Sequence, residues 1–305
     1  MATISAKDVM ELRKQTDCGM MECKKALTDA NGDFAKAVEL LREKGLATAA
    51  KKAGRVAAEG MVYAASNGTV GVALEVNAET DFVAKNDKFV SFVKEVAEII
   101  MEQNPADVEA LLACKMGEGT VDDGLKGLVL VIKENIQIRR FVRYEGTCAA
   151  YIHAGGTHAV LVNFDTTAEV AAKPEFAAYG KDIAMQIAAA NPTYVRPEEV
   201  PADVLAKEKE ILLAQMANDP KTANKPEAVK EKMIIGKVNK YYKEFCLVDQ
   251  PFVKDDKQSV AQYTAHVAKE LGGEIAIVKF VRFEKGEGLE KRQDDFAAEV
   301  ASMAK

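Results

Sequence analysis

The 305-residue chain carries 41 Lys and Arg against 47 Asp and Glu, a formal net charge of −6, and is 48% hydrophobic. That length and apolar share support two or three cooperative units and exclude general disorder. The acidic balance gives no overall pull toward a phosphate backbone, so no direct nucleic-acid partner is expected. No apolar run is long enough to span a bilayer, and the N-terminus lacks the basic and apolar regions of a signal peptide. Cys18, Cys23, Cys114, Cys148 and Cys246 are scattered without a C-x-x-C, and together these features predict a reduced, cytoplasmic setting with no membrane partner.

Ser5-Ala6-Lys7-Asp8 reads as a capping box opening the first of three short helical patterns. The first carries Val9 and Leu12, the second Met20, Cys23, Ala26 and Leu27, and the third, from Asp33, Phe34, Ala37, Val38 and Leu41, with Asn31-Gly32 and Gly45 as punctuation. So small a module commits most of its apolar side chains to its own core. The adjacent Met20 and Met21 cannot share one helix face, which predicts that one of them is exposed. Residues 47–60 are small and basic and read as a helical tail or linker.

Asn67-Gly68 between two apolar runs predicts a hairpin with a type I′ turn. Val70, Val72, Leu74 and Val76 alternate with Gly71, Ala73, Glu75 and Asn77, the pattern of a half-buried strand. A helix follows from Asp87, read as its N-cap, with Phe89, Phe92, Val93, Val96 and Ile100 on one face. Strand and helix thus flank the loop Thr80-Asp81-Phe82-Val83-Ala84-Lys85-Asn86, in which an acid stands beside an aromatic. Two readings stand for Phe82: a side chain tucked back on the core, or an exposed anchor for a partner's pocket with Asp81 supplying charge beside it.

Helices ending in Leu125, Leu128, Val129 and Ile132 lead to a strand at 136–145, and the unit then recurs. IQIRRFVRYE at 136–145 is matched by IAIVKFVRFE at 275–284, Gly68-Thr69 by Gly156-Thr157, and the helix of Phe89 and Phe92 by one of Phe176, Ile183 and Ile187. The second copy has Thr166-Thr167-Ala168-Glu169 where the first has Ala78-Glu79-Thr80-Asp81-Phe82, so the fold does not itself require the aromatic, which favours a functional role. Between 197 and 252 the second copy is interrupted by two helical patterns, one with Leu205, Leu212 and Met216 and one with Ile234, Val238, Tyr241 and Phe245. They predict a projecting antiparallel helical hairpin. A last helix runs from Asp294 through Phe296, Val300 and Met303. The class is α+β, divided as 1–54 (three-helix domain and linker), 55–145 (first core subdomain), 146–198 with 246–285 (second core subdomain), 199–245 (hairpin insertion) and 286–305 (C-terminal module).

No catalytic constellation survives inspection. The glycines of Gly119-Thr120-Val121-Asp122-Asp123-Gly124 have P-loop spacing, but Leu125-Lys126 follows where Lys and Ser or Thr are needed, and no strand precedes. His153 and His158 near Asp165 lack a nucleophile or further ligands, and Cys18 with Cys23 lacks a second ligand pair, so neither a metal nor a cofactor is expected. Arg139 and Arg143 share one strand face and Arg140 takes the other, which predicts ion pairs at sheet edges.

The 80–86 loop, together with Leu12-Arg13, Thr16, Gly19-Met20-Met21 and Cys23-Lys24-Lys25-Ala26-Leu27, closely resembles bacterial translation elongation factor Ts. The likeness continues through Glu134-Asn135-Ile136 to Arg140, Gln250-Pro251-Phe252-Val253 and Asp295-Phe296-Ala297-Ala298-Glu299-Val300. It implies a three-helix, ubiquitin-associated (UBA)-like N-terminal domain, a duplicated core, a coiled-coil insertion and a C-terminal helix module. It further implies a guanine-nucleotide exchange factor for the GTPase elongation factor Tu, with no reaction of its own on a covalent bond and no cofactor, acting on Mg-GDP held by the partner. By the family pattern Thr80, Asp81, Phe82 and Val83 form the loop that enters near the Mg²⁺ site, Arg13, Met20 and Met21 touch the GTPase domain, and His153 meets the partner's other domains. A 2:2 assembly with Tu is part of that expectation. A plain interaction scaffold without exchange activity is the alternative, and an enzyme using His153, His158 and Asp165 a remoter one.

Overall fold

The computed structural model describes residues 4–222 and 225–290. Three helices come first, α1 (Ala6–Thr16), α2 (Met20–Asp29) and α3 (Phe34–Lys52). Ser5 and Asp8 exchange the two hydrogen bonds of a capping box, and Asp33 caps α3. Leu12, Cys23, Leu27, Ala37 and Leu41 form the core of this module, which Leu130 and Val131 complete from outside, so the module is not closed on itself.

The first core copy comprises β1 (Glu59–Ser66), β2 (Val70–Ala78), a 3-10 turn at Val83–Lys85, α4 (Asp87–Gln103), α5 (Val108–Ala113), the short strands β3 (Lys115–Met116) and β4 (Gly119–Thr120), α6 (Val121–Ile132) and β5 (Gln137–Glu145). The second comprises β6 (Thr147–His153), β7 (His158–Thr166), α7 (Ala168–Ala171), α8 (Pro174–Ala190), the inserted α9 (Ala202–Asn218) and α10 (Glu227–Phe245), then β8 (Pro251–Phe252), β9 (Asp255–Ser259), α11 (Val260–Leu271) and β10 (Ile275–Glu284).

The duplication holds down to detail. Strand orders are β1-β2-β5 and β6-β7-β10, antiparallel throughout. Helices α4 and α8 each span 17 residues and end on a left-handed asparagine, Asn104 and Asn191. Helices α6 and α11 each span 12 residues behind a capping box. Even the bulges coincide: Arg139 is skipped in the β2–β5 ladder, and its counterpart Val278 in β7–β10.

The two sheets pack through Val62, Ala64, Ala73, Cys148, Ala159, Leu161 and Phe283. Phe89, Val93, Val96, Leu128 and Val129 cover the other side of the first sheet, and Phe176, Ile183, Ile187 and Val267 that of the second. Strand β2 is therefore buried on both faces, not half-buried as its alternation suggests, because its Gly71 and Ala73 face the second sheet and not water. Three local expectations also change. Helix α3 runs through Gly45, where it crosses α6 so closely that a Cβ would lie 3.2 Å from the Lys126 carbonyl oxygen. The hairpin turn is held by Asn67 Oδ1, which accepts from the Thr69 and Val70 amides, and only Gly68 has positive φ, so it is not type I′. Asn86, not Asp87, caps α4.

The arginines of the edge strand β5 do form ion pairs, but the bulge at Arg139 overturns their expected division between faces, since it turns two consecutive arginines toward one carboxylate. Glu75, 0% exposed, accepts from Arg139 Nη1 at 3.0 Å, Arg140 Nε at 2.6 Å and the Gly286 amide at 2.8 Å. Arg139 also donates to the Glu287 carbonyl and Arg140 to its carboxylate, while Lys285 pairs with Glu59. The end of the second copy is thereby fastened to the first. Arg143 pairs instead with Glu145 and the Met101 carbonyl.

The hairpin of α9 and α10 is rooted where the Tyr194 amide donates to the Phe245 carbonyl and the Leu247 amide to the Tyr194 carbonyl. Leu205 and Leu212 line one groove with Val238, Tyr241 and Phe245, while Ile211, Leu213, Val229 and Ile235 stay exposed. The helix expected from Asp294 lies outside the described residues. No helix among the described residues is long and apolar enough to cross a membrane.

Candidate functional site

The loop after β2 is braced on both sides. Glu79 Oε1 accepts the Asn135 amide at 2.7 Å and its carboxylate pairs with Arg55 at 3.4 Å. Thr80 gives its amide and hydroxyl to the two oxygens of Glu134, at 2.9 and 2.7 Å. Three residues on, Val83 is 5% exposed and packs into the first core, so it anchors the loop and presents no side chain to a partner. Between these fixed points Phe82 stands 79% exposed, with Asp81 exposed beside it. The tucked reading of Phe82 is excluded. Burying such a ring yields about 1.5–3 kcal/mol, and the folded chain leaves that unused.

Comparison of the copies separates what the fold needs from what it does not. Val170 of the second copy occupies the anchoring place of Val83 and is equally buried, while the exposed Glu169 stands where Phe82 does. The valine is structural in both copies; the aromatic belongs to one.

Arg13, Met20 and Met21 are all exposed, Met21 by 74%. Both methionines face outward, against the expectation of one, because Cys23, Ala26 and Leu27 alone supply the buried stripe of α2. Two ion pairs tie this module to the loop: Asp17, in the α1–α2 turn, meets Lys88 in the first turn of α4 at 3.2 Å, and Glu22 of α2 lies 3.9 Å from Lys133, the neighbour of Glu134. His153, at the end of β6, is also exposed, and its Nδ1 lies 3.1 Å from the Tyr151 hydroxyl. Its turn reaches the first copy through Val62 N, which donates to the Gly156 carbonyl at 2.9 Å near the start of β1, the end at which Glu59 pairs with Ala78 just before the loop. Thus Phe82, the methionines and His153 gather from three segments toward one end of the packed sheets.

Chemistry that the sequence left open is dispersed by the fold. His158 lies 3.4 Å from Glu284, while Asp165 is seven residues along β7, roughly 23 Å at strand rise. Burial alone would push the Glu284 carboxyl up, but its hydrogen bond and charge pairing with Arg282 and the neighbouring His158 outweigh this and hold it below its ordinary value. The glycine-spaced 119–124 stretch is a two-residue ladder followed by an N-cap: β3 does precede it, and the Thr120 amide and hydroxyl bind Asp123, holding that carboxyl low. Among the described residues no three His, Cys, Asp or Glu side chains are placed to hold a metal ion. What remains is exposed apolar surface: an aromatic and an acid on a braced loop, and two methionines on α2.

Glu134 entered the sequence reading only as part of the family likeness, with no role given to it, and Lys133 did not enter it. The available signal was the repeat itself, which sets Lys133-Glu134 against Gly272-Gly273.

A family model described as Elongation factor TS matches residues 79–287. The chain is 51% identical to Elongation factor Ts of Symbiobacterium thermophilum over 311 aligned residues, covering 100% of this chain and 99% of that one. It is 50% identical to Elongation factor Ts of Clostridium perfringens (98% and 99% covered) and 49% identical to that of Trichlorobacter lovleyi (99% and 98% covered).

Proposed function

Because the chain belongs to the elongation factor Ts family, we propose that it promotes GDP release from the GTPase elongation factor Tu during translation elongation, with Asp81 and Phe82 entering the GTPase beside its Mg²⁺ and nucleotide. The observation that carries this reading is Phe82, 79% exposed on a loop whose backbone is pinned by Glu134, Asn135 and the buried Val83. Mg²⁺ bridges nucleotide phosphates and neutralises their charge, so a side chain that shifts its ligands weakens GDP strongly. Thr80 positions the loop, Arg13, Met20 and Met21 contact the GTPase domain, and His153 contacts the partner's remaining domains. The protein breaks no covalent bond and needs no cofactor; Mg-GDP belongs to the partner. In this reading the first three helices form a UBA-like module, α9 and α10 form a coiled-coil hairpin, the domains divide at 54, 145, 198, 245 and 285, the setting is cytoplasmic, and two copies of each factor assemble.

Binding coupling is reciprocal: a factor that loosens GDP is loosened by GDP to the same degree, so nucleotide supply sets the direction of exchange. The test is stopped-flow release of a fluorescent GDP analogue from Tu, with the wild-type chain, Asp81→Ala and Phe82→Ala, across Mg²⁺ concentrations. Acceleration by the wild type that falls in both variants is expected. A wild-type chain that binds Tu without accelerating release supports the scaffold alternative.

A further inference from the structure

The two copies also differ at the turn between the last helix and the last strand of each. Aligning β5 with β10 sets Lys133 against Gly272 and Glu134 against Gly273, and the backbone agrees, with φ +66° at Lys133 and +69° at Gly272. A left-handed cap suits glycine and costs other residues about 1–2 kcal/mol, so the fold has no local need for Lys-Glu there. In the second copy the anchoring valine sits directly on the glycine: a Cβ at Gly273 would lie 2.6 Å from Val170 Cγ2. In the first copy that position carries a carboxylate which takes both polar hydrogens of Thr80. The extra side chain occurs in the copy that carries the exposed aromatic two residues beyond Thr80.

We propose that Glu134 is a positioning residue for exchange: through Thr80 it holds the Asp81-Phe82 segment at a fixed height above the core, while Lys133 beside it pairs with Glu22 of the methionine-bearing helix. The inference rests on the exchange reading for its kinetic part and on geometry alone for its structural part. A loop that presents a wedge loses effect when it is free to swing, because the oriented state must then be selected from many. Loss of the brace therefore lowers the maximal rate of GDP release while leaving the exposed side chains, and most of the encounter affinity, in place.

The chain contains no tryptophan, so Phe82→Trp supplies a single local probe. In the full chain carrying Phe82→Trp, Glu134→Ala is expected to speed the depolarisation of Trp fluorescence, and Glu134→Gln, which keeps one acceptor oxygen, to restore part of the rigidity. In the otherwise wild-type background Glu134→Ala is expected to lower the saturating rate of GDP release about tenfold, to change the half-saturating concentration less than about threefold, and to be partly rescued by Glu134→Gln. Unchanged depolarisation overturns the brace. Faster depolarisation with an unchanged saturating rate overturns its role in exchange, as does a rate loss that appears only in half-saturation. If the wild-type chain itself gives no acceleration, the exchange reading and the kinetic part of the proposal fail together, and the depolarisation experiment still decides the brace.

Discussion

Glu75→Gln tests the fastening between the two copies. The substitution keeps the shape of the side chain and removes its charge. Each neighbour that reaches the carboxylate is a donor: Arg139 Nη1, Arg140 Nε, Asn77 Nδ2 and the Gly286 amide. An amide nitrogen in place of one oxygen must then face a donor, leaving a buried polar conflict, Arg139 without its counter-ion and Arg140 with only the exposed Glu287. Removing one partner of a buried ion pair costs about 3–5 kcal/mol. Arg139 and Arg140 keep 26% and 33% exposure, so water recovers part of their loss and the low end, about 3 kcal/mol, is expected. At about 2–4 °C per kcal/mol for a unit of this size, the melting temperature falls by roughly 6–12 °C. Thermal unfolding followed by circular dichroism, with urea unfolding alongside, measures it. Glu287→Ala, which removes only the exposed partner of Arg140, is the control, with a change below about 1 kcal/mol. A Glu75→Gln shift under about 2 °C would refute the reasoning.

Phe82 and Val83 are neighbours with opposite expected effects on stability. Phe82→Ala is expected within about 0.5 kcal/mol of wild type, since the ring is exposed, whereas Val83→Ala removes buried methyls at about 1–3 kcal/mol, both read by urea unfolding. Tyr263 predicts an alkaline limit. Its hydroxyl donates to Asp182 Oδ2 at 3.0 Å and its ring stacks on Phe252, and burial first, then the Asp182 carboxylate, push the phenol from 10.0 up to about 12. The raised folded value favours the neutral form. Its stabilising contribution is therefore complete below pH 10 and is lost as pH rises from there through about 12. Tyr263→Phe is expected to flatten the fall in stability over that window, and an unchanged pH profile would remove Tyr263 as its cause.

Much of the architecture was legible because its causes are local. Capping boxes at Ser5, the apolar faces of α2 and α4, and the matched strands at 136–145 and 275–284 all depend on residues within a few positions of each other or on copies of the same string. Errors fell where a distant partner decides. Gly45 looked like a helix end, yet α6 makes it a crossing point; alternation in β2 looked like one wet face, yet the second sheet covers it. The candidate site divides in the same way. Residues 80–86 stood out as an acid and aromatic between strand and helix, but exposure of Phe82 against burial of Val83 follows from where Glu134 and the first core lie.

The sequence by itself determined the α+β class, the duplication with its inserted helices and the loop that lacks a counterpart in the second copy, because periodicity and internal matching are properties of the string. Tertiary structure alone decided that Arg139 and Arg140 meet the same carboxylate, since a bulge is a mismatch between two strands and neither strand records it. It alone decided that Met20, Met21, Phe82 and His153 approach one end of the molecule, because that proximity is made by Leu130 and Val131 packing into the core of the first three helices and by the β1 contact with Gly156, each joining residues distant in the chain.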